Sequence, residues 1–203
     1  MNADFIIRDE FELEEMFGLP KETVKQKVVS QLDRAMNDFI ARSPLVFIAT
    51  CDHAGFIDVS PKGDEPGFVK IDASGELLIP ERPGNKLMFS FRNLLRNSRI
   101  GLIFLIPNTR ETLRIKGTAS LSRDPKLLDR LSVNGKPALL STNVEIKECF
   151  FHCGKAMIRS KLWKPESWVA DAQEMISHFA SKHELNEQEI ASNVEQSYRD
   201  NLY

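Results

Sequence analysis

The sequence lacks the features that mark disulfide-rich, nucleic-acid-binding, membrane-spanning and secreted proteins. Its 203 residues include three cysteines, too few for a disulfide framework, and a formal net charge of −2, which gives no general attraction for nucleic acid. No apolar run approaches the ~20 residues of a membrane helix. The acidic N-terminus lacks the basic start of a signal peptide. We therefore expect a cytoplasmic protein without a nucleic-acid or membrane partner.

Several catalytic and ligand-binding motifs are also missing. The chain has neither a Walker-type nor a G-x-G-x-x-G nucleotide-binding motif, and no legible Ser-His-Asp or Cys-His arrangement. Cys149, His152 and Cys153 lie close together, but strand alternation places the two thiols on one side and the imidazole on the other. A zinc site normally has four ligands in paired spacings. We therefore predict buried structural thiols and no metal site.

Short apolar segments separated by turn residues fill the middle of the chain. Predicted strands are 45–51, 56–60, 67–72, 76–80, 99–106, 112–121 and 144–153, with 61–67 as a loop rich in proline and glycine. Predicted helices are 10–17, 20–43, 86–95, 124–131, 169–182 and 186–201. Regular β-α-β alternation is absent, which argues against a parallel sheet. The pattern favours a mainly β fold, an antiparallel barrel with peripheral helices.

The helix predicted from Pro20 to Ser43 depends on a regular spacing of apolar residues. Val24, Val28, Leu32, Met36 and Ile40 recur every four residues, and Ser43-Pro44 ends the pattern. We divide the single domain into an N-terminal helical segment (1–43), a barrel (44–163) and a C-terminal helical extension (164–203).

The segment Arg82-Pro83-Gly84-Asn85-Lys86 is the strongest candidate site. It follows a predicted strand and leads into a helix-like pattern, and the first turn of a helix suits an anion. Arginine offers a planar fork, lysine a point charge and asparagine an amide donor. The alternative, a solvated helix start, is about equally consistent with this segment alone. A second loop, Ser60-Pro61-Lys62-Gly63-Asp64, adds donors that could line the same groove.

These segments resemble a known family. The strings SPKGD, LLIPERPGNK, RNLL, IGLIFLIP and RETLRIKG are similar to those of the pyridoxamine 5′-phosphate oxidase-like, FMN-binding split-barrel proteins, over about Phe39 to Trp163. The resemblance implies a six-stranded antiparallel split barrel, and a homodimer with FMN in a groove at its interface. It also implies an FMN-dependent oxidoreductase, acting with a nicotinamide reductant or a small-molecule substrate.

The same resemblance assigns the cofactor-binding residues. Val59, Ser60, Pro61, Lys62, Ile79, Pro80 and Glu81 would border the flavin ring and ribityl chain, and Arg82, Asn85 and Lys86 would hold the phosphate. Thr112 and Arg114 would approach the cofactor, and Lys155 and Arg159 would meet it or an acidic substrate from the partner subunit. A cation at Lys62 would stabilise a reduced, anionic flavin ring.

Some assignments stay open. Lys155 and Arg159 are equally typical of a solvated basic helix, and His152 is either a core histidine, which we favour, or a residue of the flavin pocket. The chain lacks the Arg-x-x-Leu-Leu-Lys and C-terminal vitamin-binding elements of the pyridoxamine phosphate oxidases, so we do not expect a B6 vitamer as substrate. The sequence identifies no catalytic residue. The alternative function is a non-catalytic module that binds or senses FMN, haem or a deazaflavin.

Overall fold

The fold is a curled antiparallel sheet with helices around it. The computed structural model describes residues 5–168, 180–182, 186–200 and 202–203. The strands are β1 Leu45–Cys51, β2 Ile57–Gly63, β3 Lys70–Ile71, β4 Leu77–Glu81, β5 Arg99–Leu105, β6 Thr112–Ser122 and β7 Leu140–His152. The described helices are α1 Glu10–Phe17, α2 Glu22–Lys25, α3 Arg34–Arg42, α4 Phe89–Leu94, α5 Pro125–Arg130, α6 Lys155–Arg159, a short 3₁₀ turn Pro165–Ser167 and a C-terminal helix Glu187–Asp200.

The sheet is rolled so that strands distant in its order meet. The order is β2-β1-β5-β6-β7-β4-β3, and every pairing is antiparallel. Four strands separate β2 from β4, yet Lys62 at the end of β2 forms an ion pair with Glu81 at the end of β4. A flat sheet would hold these residues far apart, since neighbouring strands lie about 4.8 Å from each other. The sheet is therefore a half-open barrel.

A β-bulge contributes to the curvature. The register between β6 and β7 shifts at Lys116 and Gly117. A Cβ atom at Gly117 would collide with the main-chain oxygen of Glu145, so a residue without a side chain is required at this close approach.

The N-terminal helix prediction is wrong in one respect. The segment 20–43 does not form one helix, because Val29 leaves the helical path and exchanges two backbone hydrogen bonds with Cys149 of β7. A new helix, α3, then begins after Asp33, whose carboxylate accepts the N–H of Met36 as an N-cap. Only the second half of the apolar pattern enters the core, where Met36, Phe39 and Ile40 pack against the barrel strands.

The strand predictions are largely confirmed, with two corrections. Residues 61–63 do not belong to a loop: they extend β2, which tolerates Pro61 because it is an edge strand. The seven predicted segments all form strands, one more than the six strands that the family resemblance implies, and the smallest is the two-residue β3. The helices predicted at 10–17, 124–131 and 186–201 are confirmed in their described parts. Most of the helix predicted at 169–182 lies outside the described residues.

The prediction of buried structural thiols is confirmed for Cys149 and wrong for Cys153. Cys149 is fully buried in the core, Cys51 is half-buried, and Cys153 is exposed because β7 ends one residue before it.

Within the described part of the chain, no group of three His, Cys, Asp or Glu residues is placed to hold a metal ion. Among the helices that the structure describes, none has both the length and the apolar character to cross a bilayer.

Helix α4 is attached to the barrel by a buried polar contact. The Nδ2 atom of Asn93 donates to Oγ1 of Thr50 on β1 at 3.0 Å, and both residues are buried. A buried polar group without a partner is costly, so this contact fixes the helix against the strand. Because α4 follows the candidate loop directly, the contact also determines where that loop lies.

Replacing Asn93 by alanine should lower the free energy of unfolding by about 1–3 kcal/mol, since the Thr50 hydroxyl loses its buried partner. The double variant Asn93→Leu with Thr50→Val removes both polar groups and should lose less of this free energy. Urea unfolding measures the difference. A double variant as unstable as Asn93→Ala would contradict this role of the contact.

Candidate functional site

A groove lies at the open side of the barrel, between β2, β4, α4 and the loop that joins β4 to α4. Its volume is about 580 Å³, within the range of small-molecule and cofactor sites. Its lining combines small loop residues, two aromatic side chains and several charged groups. The lining residues are Ser60, Pro61, Lys62, Gly63, Pro80, Glu81, Arg82, Pro83, Gly84, Asn85, Lys86, Leu87, Met88, Phe89, Ser90, Phe91, Leu139 and Leu140. The two segments that the sequence singles out therefore border one cavity.

The loop from Arg82 to Met88 is not the start of a helix. Helix α4 begins at Phe89, three residues later than predicted, because Lys86 and Met88 both have left-handed backbone conformations, with φ of 61° and 57°. Such conformations cost energy for residues other than glycine and tend to cluster at functional sites. Anion binding here would thus depend on loop side chains and backbone N–H groups, not on a helix terminus.

Lys62 and Glu81 form an ion pair across the groove. The Nζ atom of Lys62 lies 2.9 Å from Oε1 and 2.7 Å from Oε2 of Glu81, and both side chains are largely buried. The same Nζ atom lies 5.1 Å from the ring centroid of Phe91, a distance typical of a cation–π contact. The charge of Lys62 is therefore balanced within the protein and held in a fixed position.

Arg82 is fixed at two of its nitrogen atoms. Its Nε donates to Oδ2 of Asp64 at 2.9 Å, and its Nη2 donates to the main-chain oxygen of Leu131 at 2.9 Å. Among the described residues, Nη1 has no hydrogen-bond partner. Arginine carries five N–H donors in a rigid plane, so the two contacts orient the plane and leave donors for a ligand in the groove.

Further hydrogen-bond donors come from Asn85 and Lys86, which follow Arg82 in the same loop. The Asn85 side-chain oxygen accepts the N–H of Leu87 at 3.1 Å, which leaves the Asn85 amide group as a donor. Lys86 is exposed and, within the residues described, forms no ion pair. Of the three cations that line the groove, Lys62 and Arg82 are paired with Glu81 and Asp64, whereas Lys86 stays unpaired among the described residues, which favours an anionic ligand.

Asp64 is a buried carboxylate that stays ionised. Burial raises the pKa of Asp64, but hydrogen bonds from Arg82, the N–H of Glu65 and the hydroxyl of Tyr203 outweigh it and hold the pKa below its ordinary value. Its side chain is 1% exposed. Because the folded pKa is depressed, Asp64 stabilises the fold above its unfolded pKa, and this contribution is lost as the pH falls through the folded value.

We therefore expect the stability of the protein to fall between about pH 5 and about pH 2 with a slope that Asp64 steepens. In Asp64→Asn the dependence on pH should be shallower over this window, because that side chain no longer takes up a proton. Thermal unfolding at a series of pH values measures it. Parallel curves for the two proteins would show that Asp64 makes no such contribution.

A cluster of hydroxyl groups borders the other end of the groove. The Oγ atom of Ser90 lies 3.0 Å from Oγ of Ser60 and 3.2 Å from Oδ2 of Asp58, and Ser60 Oγ lies 3.4 Å from the same carboxylate oxygen. The cluster joins α4 to β2. It can present either a donor or an acceptor to a ligand, since hydroxyl groups rotate.

The structure brings most of the predicted residues together. Eight of them line the groove: Ser60, Pro61, Lys62, Pro80, Glu81, Arg82, Asn85 and Lys86. Ile79 is buried in the core beneath it, and Val59 points from the outer face of β2. Thr112, Arg114, Lys155 and Arg159 are not among the groove residues of the single chain.

Arg114 instead belongs to a cluster on the outer face of β6 and β7. Its guanidinium group lies 5.5 Å from the ring centroid of Phe150, whose ring stacks with His152 at 6.0 Å. One Arg114 nitrogen lies 3.3 Å from Nδ1 of His152. The interpretation of His152 as a core residue is wrong, because β7 ends there and the ring is exposed.

Sequence reasoning missed several residues of the site. Asp64 stands within the SPKGD string, which could have suggested a partner for Arg82, and Ser90 and Phe91 are set by the register of α4. Tyr203 carries no local signal, because its contact with Asp64 spans 139 residues of the chain.

Comparisons with known proteins identify the family of the chain. The family model described as pyridoxamine 5′-phosphate oxidase matches residues 32–153, more than half of the chain. A variant of HupZ from Group A Streptococcus has a similar structure, with a TM-score of 0.50, 16% identity, and coverage of 60% of this chain and 100% of that one.

A protein related to general stress protein 26, of the pyridoxinephosphate oxidase family, from Clostridium acetobutylicum gives a TM-score of 0.44 and 14% identity, with coverage of 59% of this chain and 86% of that one. A search of curated protein sequences found no match.

Proposed function

Since the chain belongs to the pyridoxamine 5′-phosphate oxidase family, we propose that it is a homodimeric FMN-binding flavoprotein that oxidises or reduces a small molecule. The observation that carries the proposal is the convergence of Arg82, Asn85 and Lys86 on one groove with Ser60, Lys62 and Pro80. Family membership makes a flavin the expected class of ligand, and the groove supplies the chemical reason for choosing FMN.

The residues of the groove fit such a cofactor. Free donors of Arg82, Asn85 and Lys86 would hold the phosphate, which binds best to charge-assisted donors. Pro80, Phe91 and Leu140 give an apolar wall suited to a planar ring. The volume of about 580 Å³ is in the range that cofactor sites occupy. When bound, FMN would supply the electron-transfer chemistry.

The chain's own residues would set the environment of that chemistry. The Lys62–Glu81 pair would fix a positive charge over Phe91 at the edge of the groove, and Ser60 with Ser90 would present hydroxyl groups to polar atoms of a ligand. Fixed groups of this kind orient a ligand and stabilise charge where it develops.

A second copy of the chain is the occupant that we propose for the outer sheet face. Ile57, Val59, Phe47, Ala49 and Ile103 point outward from β2, β1 and β5 in adjacent rows. This apolar surface, bordered by Arg99 of β5 and Arg114 of β6, resembles the centre of an oligomer interface. It is continuous with the groove through Pro61, so a partner seated on it would also close the cofactor site. Arg114, Lys155 and Arg159 would then approach the groove of the partner subunit.

A second candidate function is non-catalytic binding or sensing of FMN, haem or a deazaflavin. It is favoured by the balanced charges of the groove: Lys62, Glu81 and Arg82 are all engaged in ion pairs. A site with few free titratable groups has little capacity for acid–base catalysis.

The absorption spectrum of the purified protein, followed by anaerobic mixing with NADH or NADPH, tests the proposal. A flavin spectrum that bleaches on mixing is the expected result. A flavin spectrum that persists with both reductants would favour the non-catalytic function, and a haem spectrum would overturn the choice of cofactor.

A further inference from the structure

The last residue of the chain, Tyr203, is bound to the outer wall of the groove. Its hydroxyl donates to Oδ1 of Asp64 at 2.9 Å, and its main-chain oxygen accepts from Nζ of Lys136 at 2.8 Å. A cavity of about 180 Å³, lined by Tyr203, Lys136, Arg82 and neighbouring apolar residues, lies beside the groove. Tyr203 is thus linked to Arg82, the residue that we assign to the phosphate, by one intervening group, the carboxylate of Asp64.

We propose that Tyr203 is a positioning residue of the groove, which holds Asp64 and through it orients Arg82 toward the phosphate of the cofactor. This inference rests on the proposed function, and it gives the C-terminal segment a part in ligand binding.

The two oxygens of Asp64 have separate tasks. Oδ1 accepts from the Tyr203 hydroxyl and from the N–H of Glu65 at 2.8 Å, whereas Oδ2 accepts from Nε of Arg82. Rotation of the carboxylate would break both sets of contacts together. The hydroxyl of Tyr203 therefore restrains the carboxylate, and the carboxylate restrains the plane of the guanidinium group.

A rigid guanidinium group matters because a bidentate contact with a phosphate depends on its plane. Arg82 already uses Nε and Nη2 inside the protein, so only a correctly turned plane directs the other donors into the groove. By linkage, a ligand that favours this orientation also favours docking of the C-terminal segment.

The charged groups that face Tyr203 are Asp64, Glu65, Arg82 and Lys136. The hydrogen bond to Asp64 raises the pKa of Tyr203, burial and the charges of Asp64 and Glu65 add to it, and Arg82 opposes it. Docking of the tyrosine is therefore detectable by titration in the absence of any ligand. The chain offers a favourable background for this, because Tyr198 is the only other tyrosine.

The binding test compares Tyr203→Phe with the matched control Tyr198→Phe, an exposed tyrosine of the C-terminal helix. We expect Tyr203→Phe to raise the Kd for FMN about tenfold, the value of one hydrogen bond to a charged group, and Tyr198→Phe to leave it unchanged. Riboflavin, which lacks the phosphate, should bind equally well to all three proteins. An equal loss for both ligands would point to a general structural defect and overturn the positioning role.

The docking test measures tyrosinate absorbance against pH in ligand-free Tyr198→Phe, where Tyr203 is the remaining tyrosine. We expect a pKa above that of a free tyrosine, which returns to the ordinary value when Asp64→Asn is added. An ordinary pKa in the parent would overturn the inference. A raised pKa together with no FMN binding by the wild-type protein would overturn the proposed function and the positioning role with it, while leaving the docking contact established.

Discussion

Replacing Arg82 and Lys86 together by alanine is expected to weaken FMN binding by at least about 100-fold. Charge-assisted hydrogen bonds contribute roughly 1.5–3 kcal/mol each, and 1.4 kcal/mol corresponds to a tenfold change in Kd. The affinity for riboflavin should fall by less than about threefold, because riboflavin has no phosphate for these side chains to bind. Fluorescence titration with both ligands measures the difference, and an unchanged FMN affinity would exclude this phosphate assignment.

Two controls separate binding from folding in that experiment. Removing Arg82 leaves the buried Asp64 carboxylate without its cation, which is destabilising in itself. Adding Asp64→Asn removes the unpaired charge and should restore stability without restoring FMN binding. The exposed lysines Lys116 and Lys147, which pair with glutamates on the surface, provide a charge-matched double alanine variant that should bind FMN normally.

Placing a charge on the outer sheet face is expected to give monomers and to abolish FMN binding together. Val59 is 57% exposed and stands in the middle of the apolar rows of β2, β1 and β5. A two-fold axis through this face would bring two copies of Val59→Glu into the same interface, and burying like charges costs several kcal/mol. Light scattering should then report half the mass of the wild-type protein.

The matched control for this variant is Leu95→Glu. Leu95 is 76% exposed, follows α4 and belongs neither to the groove lining nor to the apolar rows, so its substitution should leave both mass and FMN binding unchanged. A wild-type protein that binds FMN as a strict monomer would contradict the proposed assembly. A Val59→Glu protein that stays dimeric would place the interface elsewhere.

The sequence was sufficient for the barrel because its strands carry local signals. β5 is a continuous apolar run, β6 alternates, and Asp52 to Gly55 forms the predicted turn between β1 and β2. It was insufficient where a distant contact decides the backbone. The β-bridge between Val29 and Cys149 interrupts a regular helical pattern, and the spacing of residues around Val29 does not predict it.

The candidate site was predictable to a similar extent. The RPGNK and SPKGD segments converge on one groove, as their positions at strand ends suggested. The pairing of their charges was not predictable, because the Lys62–Glu81 and Arg82–Asp64 ion pairs depend on the curl of the sheet. The late start of α4 follows from left-handed backbone at Lys86 and Met88, residue types that rarely adopt it.

The most direct test of the account is mass spectrometry of the small molecule released from the native protein. A flavin mononucleotide in amounts equal to the protein is the result that the groove and its phosphate donors predict. Recovery of haem, of a deazaflavin or of a flavin without a phosphate would contradict the assignment of Arg82, Asn85 and Lys86.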